Sequence, residues 1–308
     1  MKIRQWMRIE KSGLAETTLE LARASVALGH EVDIRQPGED MPLIGNLHET
    51  PDVHSIHSQL GMSAYGEPAP KFLWCHGEPI SSVGNGVSMK AIVDLAPQCD
   101  AFLAMRKEEL PVWNAIKRTF LVTKGIDLDK FKPLQNVERL SGDPAVLYYE
   151  NWRGQRNPLY PCLAMEQVWK KYPKARLHLY NCPGGKMHET FKALIDHGKW
   201  WRFVRSLQGP VDDVNLLLNK VDIVVSGLYP LYARGIEAFG AGKAFIGAGY
   251  KEDGYPWQCR EFSPDALAEA IIKCHENYDQ INYRQWAESR HDVMDTMRQA
   301  TTIYERYL

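Results

Sequence analysis

Short apolar runs alternate with amphipathic stretches along this chain, and the alternation predicts a series of strands and helices. Residues 2–7 read as a strand. Gly13 then opens a helix with apolar positions Leu14, Leu19, Leu21, Ala22, Val26 and Leu28, and Gly29 ends it. Further strands are expected at 31–34, 53–57, 71–75, 101–104 and 121–122. A polar, turn-rich stretch near 134–143 interrupts the series, which then restarts. Strands are expected at 145–149, 175–180, near 202–206, at 221–225 and at 244–246, with helices at 159–171, near 187–198 and near 212–219. Two helices, about 264–277 and about 282–306, close the chain; the second carries a packing stripe of Trp286, Val293, Met294, Met297, Ile303 and Tyr304.

Strands that alternate with helices imply parallel, doubly wound sheets. The restart implies two Rossmann-like domains, 1–137 and 138–281. Ligands of such sheets sit beyond the carboxyl ends of the strands, so with two facing sheets the site is expected in the cleft between domains.

Composition narrows the class. The chain has 308 residues, enough for two cores, with 44% hydrophobic and 24% charged residues. A formal net charge of -1 implies no general attraction to nucleic acid or anionic membrane. The six cysteines, at 75, 99, 162, 182, 259 and 274, form no C-x-x-C and read as reduced thiols in a cytoplasmic protein. The N-terminus is too polar for a signal peptide, and no apolar run approaches the ~20 residues of a membrane span.

The candidate chemistry gathers at strand ends. Gly235–Ile246 reads as a short helix that carries one acid, Glu237, stops at glycine and runs into a buried strand. The first amides of a helix are unpaired and its dipole favours anions, so it can hold a phosphate while the carboxylate one turn in reaches a ribose hydroxyl. After the first strand of the second domain, Arg153 and Arg156 lie in a loop before a helix, placed either to meet a diphosphate or to sit in solvent. His76 follows a strand directly and is either a structural histidine or a group facing the cleft, able to bond a sugar hydroxyl. His54 and His57, three residues apart with no third ligand, do not make a metal site. Gly240-Ala241-Gly242-Lys243 precedes a strand and is not a P-loop, and no G-x-G-x-x-G follows the first strand. Asp127-Leu128-Asp129 reads as a turn rather than a metal-binding D-x-D. Lys199-Trp200-Trp201-Arg202-Phe203 reads either as a base-stacking surface or as a helix end entering a buried strand.

Taken in order, the first loop with Gly13, the His76 loop, the segment Lys124-Gly125-Ile126-Asp127 with Phe131 and Pro133, the Arg153/Arg156 loop and the Glu237 helix resemble family 4 of the retaining GT-B glycosyltransferases. That resemblance implies a GT-B fold of two facing Rossmann-like domains, with the last helix, about 282–308, crossing back to the first. It implies transfer of a sugar from a UDP- or GDP-sugar to an acceptor hydroxyl, with retention and without metal or cofactor. His76 would orient the sugar, Arg153 and Arg156 would stabilise the leaving diphosphate, and Gly13, Arg234, Gly235 and Glu237 would bind the donor. Arg156 falls where the family has a lysine, whereas the family arginine falls at Asn151, so Arg153 is its substitute. The family also has a first glutamate eight positions before Glu237, where this chain has Tyr229, and Pro230, Leu231 and Tyr232 replace the glycines after it. These four residues are the expected sugar-contacting stretch. The alternatives are an inverting transferase or an epimerase on the same scaffold, a non-catalytic nucleotide-sugar-binding subunit, and a transferase with a nucleic-acid acceptor.

Overall fold

The computed structural model describes residues 1–7, 13–36, 45, 47, 49–57, 67–76, 89–150, 152, 158–182, 184–226, 232–247, 255, 257, 259, 261 and 263–308. For residues 13, 14, 89–91, 206 and 232 it describes the backbone alone. The chain divides into two compact units, Met1–Asp127 with Arg290–Leu308, and Leu128–Ser289.

The first unit holds a parallel sheet of β1 (Lys2–Trp6), β2 (Glu31–Arg35), β3 (Val53–Ile56), β4 (Lys71–Cys75), β5 (Ala101–Ala104) and β6 (Thr119–Leu121), in the order β2-β1-β3-β4-β5-β6. Helices cover both faces, so β4 and β5 are nearly continuous apolar runs, while β1, β2 and β3 also bury Arg4, Gln5, Asp33, His54 and Ser55. On one face, Ile3, Val53, Phe72, Trp74, Ala101 and Leu103 pack against Leu21 and Ala24 of α1 (Gly13–Ala27) and against the C-terminal helix. On the other, Trp6, Ile56, Leu73, Cys75 and Phe102 pack with Ile92 of α2 (Met89–Leu95) and Trp113 of α3 (Leu110–Asn114).

The second unit holds β7 (Ala145–Tyr148), β8 (Arg176–Leu179), β9 (Val204–Leu207), β10 (Ile223–Ser226) and β11 (Ala244–Gly247), also parallel, in the order β11-β10-β7-β8-β9. Its helices are α4 (Leu159–Lys171), α5 (Lys186–His197), α6 (Val214–Asn219), α7 (Tyr232–Gly240), α8 (Pro264–Glu276) and α9 (Tyr283–Arg290). Capping sets two of the starts. The Asp213 carboxylate accepts from the Leu216 amide at 2.8 Å, and the Ser263 hydroxyl, ahead of Pro264, accepts from Ala266 at 3.1 Å.

Three expectations shift. The sixth strand lies at Thr119–Leu121, earlier than expected, because Asn114 Oδ1 accepts the Thr119 amide and starts the pairing with β5 there. The strand expected near 202–206 begins at Val204, after a tight turn at Trp200–Arg202. The long final helix is two helices, α9 and α10 (Val293–Tyr304). Between them Asp292 is extended, with φ -76° and ψ 128°, and its carboxylate caps α10 through the Met294 amide at 2.9 Å. The break also pairs the chain with the end of the first unit's sheet. Ile126 N donates to His291 O at 2.9 Å and Val293 N to Ile126 O at 3.1 Å. Gly125 permits this approach, since a Cβ there would lie 2.5 Å from the Asp292 backbone.

Candidate functional site

Each sheet reverses its strand order once, and that reversal is where ligands of doubly wound sheets bind. In the second unit the reversal lies between β7 and β10. Tyr149 follows β7 directly, and β10 leads toward α7, so the turn of α7 is brought beside the end of β7. Tyr149 Oη donates to Glu237 Oε2 at 2.7 Å, and Arg234, one turn earlier on α7, donates to the same oxygen at 2.8 Å. The Arg234 guanidinium lies over the Tyr149 ring, 4.6 Å from its centroid. Asn181, in a left-handed conformation after β8, donates to the Tyr149 carbonyl and holds that turn.

This cluster is charged but only partly open. The side chains of Arg234 and Glu237 are 27% and 13% exposed. Burial acts to lower the Arg234 pKa, but the neighbouring Glu237 and Tyr149 outweigh it and hold the guanidinium above its ordinary value. Burial, and then the Glu237 charge, push the Tyr149 phenol well up, so it stays a donor. Glu237 Oε1 has no partner among the described residues and remains able to accept from hydroxyls. Gly235, expected to face a ligand, also has a packing reason: a Cβ there would lie 2.7 Å from the Phe245 ring of β11.

In the first unit the reversal lies between β1 and β3. His57, just past β3, meets His76, just past β4, through Nδ1 to Nε2 at 3.0 Å. The His57 ring stacks on Trp74 at 5.2 Å between centroids. Its Nε2 meets Ser55 Oγ at 2.9 Å. Burial, and then the His76 charge, hold the His57 pKa well below its ordinary value. Burial, and then the Lys124 charge, push half-buried His76 down to about 3. Both rings are therefore neutral near pH 7.

His54 points to the other face of the sheet. There it accepts from Trp6 Nε1 at 3.0 Å and meets the Pro68 carbonyl at 3.1 Å, a structural role. Among the described residues no group of histidine, cysteine and carboxylate side chains has the arrangement of a metal site. All six cysteines are buried, and none is in a disulfide. No described helix is long and apolar enough to cross a membrane. In the basic-aromatic run, Trp200 and Phe203 are buried, while Trp201 is exposed beside Arg202.

Of the expected site residues, His76, Arg234, Gly235 and Glu237 lie in described positions, and Gly13 is the first residue of α1. Arg153, Arg156, Tyr229, Pro230 and Leu231 lie outside the described residues. Tyr232, expected in a sugar-contacting loop, is instead the first residue of α7, so the helix starts three residues before Gly235 and its first-turn amides belong to 232–235. The sequence pattern did not mark Tyr149, Ser55, His57 and Trp74 as site residues. Tyr149 ends an apolar run and looks like core. The signal for Ser55 and His57 was their period-two spacing, two polar groups on one face of an otherwise apolar strand.

No family model matches the chain, and no curated protein matches it. Solved structures do. The chain is similar to a glycosyltransferase from Rickettsia africae ESF-5, at 16% identity and a TM-score of 0.71 over 99% of this chain and 98% of that one. It is similar to HepE from Anabaena in complex with UDP-glucose, at 14% identity and a TM-score of 0.73 over 99% and 100%. It is likewise similar to sucrose-phosphate synthase from Thermosynechococcus elongatus, at 14% identity and a TM-score of 0.75 over 99% and 98%. The fold is GT-B. Within the GT-B fold, the Glu237 cluster belongs to the second Rossmann-like unit and the His76 cluster to the first.

Proposed function

We propose that this chain is a glycosyltransferase that moves a sugar from a nucleotide-sugar, a UDP- or GDP-sugar, to an acceptor hydroxyl with retention of configuration and without a metal ion. The observation that carries this reading is Glu237. It stands at the strand-order reversal of a parallel sheet, with Oε2 fixed by Tyr149 and Arg234 and Oε1 left to accept. Paired ribose hydroxyls are donors suited to such a carboxylate. The similar GT-B structure of HepE was solved in complex with UDP-glucose, which supports a nucleotide-sugar as the ligand class.

As the bond from the anomeric carbon to the diphosphate oxygen breaks, negative charge grows on the leaving group, and stabilising it is the main catalytic task. Arg234 is engaged with Glu237 and the Tyr149 ring, so its role is to hold Glu237. The charge falls to Arg153, Arg156 and the first-turn amides of α7, beside Gly235. Gly13 and the stretch from Tyr229 through Pro230 and Leu231 to Tyr232 complete the donor contacts. His76 orients the sugar. Burial, and then the Lys124 charge, hold its pKa at about 3, so it is a weak base, and the leaving phosphate takes the acceptor proton.

A panel of UDP-, GDP- and ADP-sugars, read by nucleotide release and by proton NMR of the anomeric product, tests the proposal. Transfer or slow hydrolysis of one donor with the anomeric configuration kept is expected. Donor binding without turnover would overturn the enzyme reading, and an inverted product would overturn retention.

A further inference from the structure

A chain of hydrogen bonds runs through the first unit from the C-terminal helix to His76, and its direction is set by one group that can only donate. The Trp74 indole N–H donates to Ser55 Oγ at 2.8 Å and to Tyr304 Oη at 3.1 Å. Tyr304, fully buried on α10, gives its own proton to Ser55 Oγ at 3.2 Å. Ser55 Oγ then accepts twice, and its single proton goes to His57 Nε2. A neutral imidazole with Nε2 accepting carries its proton on Nδ1, so His57 donates to His76 Nε2. By the same rule His76 carries its proton on Nδ1, which meets no partner among the described residues.

We propose that Trp74, Tyr304, Ser55 and His57 are positioning residues that lock His76 as an Nδ1–H donor, so that it offers a ligand a hydrogen bond to an acceptor oxygen and never a lone pair. The part of this that concerns a sugar ligand rests on the glycosyltransferase reading above; the locked tautomer does not. All of these side chains belong to the first unit, so its own fold suffices to set the proton. The recognised atom is accordingly an oxygen that accepts: a sugar hydroxyl, ether or carbonyl oxygen.

The test is the tautomer of His76 in the full chain, read by two-bond nitrogen-proton NMR with imidazole nitrogen labels and assigned with His76→Gln. Wild type is expected to show Nδ1 protonated and Nε2 bare. Ser55→Ala removes the proton given to His57 and is expected to shift His76 to a mixture of tautomers. His57→Gln, which keeps an acceptor for Ser55 and a donor for His76, is expected to restore Nδ1–H, whereas His57→Leu is not. If Ser55→Ala unfolds the chain, Tyr304→Phe, which removes one of the two donors to Ser55, is expected to give a smaller shift of the same sign. Nε2 protonation in wild type, or an unchanged tautomer in every one of these variants, would overturn the proposal. With an active donor in hand, Ser55→Ala is expected to lower kcat/KM about tenfold, the value of one hydrogen bond. A locked tautomer in a chain that turns over no donor would leave the relay standing and remove the glycosyltransferase reading instead.

Discussion

The two clusters, around His76 and around Glu237, stand at equivalent places in their sheets and are built on opposite electrostatic plans. The first is neutral. Its histidines are stripped of charge by burial, and a directed series of hydrogen bonds decides which nitrogen keeps a proton. The second is charged. Its carboxylate keeps a cation and a phenol on one oxygen and leaves the other for a ligand. A parallel sheet can thus present either a fixed neutral donor or a compensated carboxylate at its switch point, depending on where its polar side chains are carried. Polar side chains on the sheet itself, Ser55 and His57, make the first. An i, i+3 pair on the next helix, Arg234 and Glu237, makes the second.

The contrast can be broken most strongly with acid. The folded pKa of His76 lies near 3, below the 6.5 of an ordinary histidine, and those of His57 and His54 are also lowered; at His54 burial does this, with Glu67 and the Pro68 carbonyl opposing and Lys71 and Arg4 assisting. The unfolded chain then binds more protons between pH 6.5 and 3, so the stability from these neutral histidines is full above about 6.5 and is lost as the pH falls toward 3. Urea unfolding between pH 7 and 4 is expected to show His76→Gln losing less stability than wild type. Equal losses would show that His76 is not held neutral.

The next largest effect belongs to the charged cluster. Glu237→Gln is expected to weaken nucleotide-sugar binding about 100-fold, measured by calorimetry, because a charge-assisted pair of hydrogen bonds becomes neutral. Tyr149→Phe removes one donor to Glu237 and leaves the ring under Arg234, so a weakening of about tenfold is expected. If Tyr149→Phe matches Glu237→Gln, the phenol itself touches the ligand.

The smallest effect sharpens the neutral side. Gln5 lies fully buried on the same sheet face as Ser55, and among the described residues neither end of its amide has a hydrogen-bond partner. Replacing it by Met keeps the volume and removes the unpaired amide, and should raise the unfolding free energy by about 1 kcal/mol. A loss of stability would show that the amide is satisfied.

Much of the fold was legible in the sequence because most strands buried on both faces are apolar runs. The strands at 71–75 and 101–104 and the helix at 159–171 fall where the pattern predicts them. The division of the last helix was not legible, because the apolar stripe through Trp286 and Met297 continues across Asp292. The extended turn there is fixed by pairing with Ile126, a contact distant in sequence. Of the site, Glu237 was legible from its place on a helix after a strand. The partnership of His57 with His76 depends on the register of β3 against β4, which no local pattern carries. His54 and His57, three residues apart, face opposite sides of the sheet, so their spacing carries no sign of the partner of His57.

Whether Glu237 holds a nucleotide-sugar is decided by thermal shift with UDP, GDP, ADP and their sugars on wild type and Glu237→Gln. At 100 times its dissociation constant a ligand stabilises by about 2.7 kcal/mol. Wild type is expected to show a clear shift with one of these nucleotides and its sugar, and Glu237→Gln a much smaller one at the same concentration. No shift with any of them, or the same shift in both proteins, would contradict that role of Glu237.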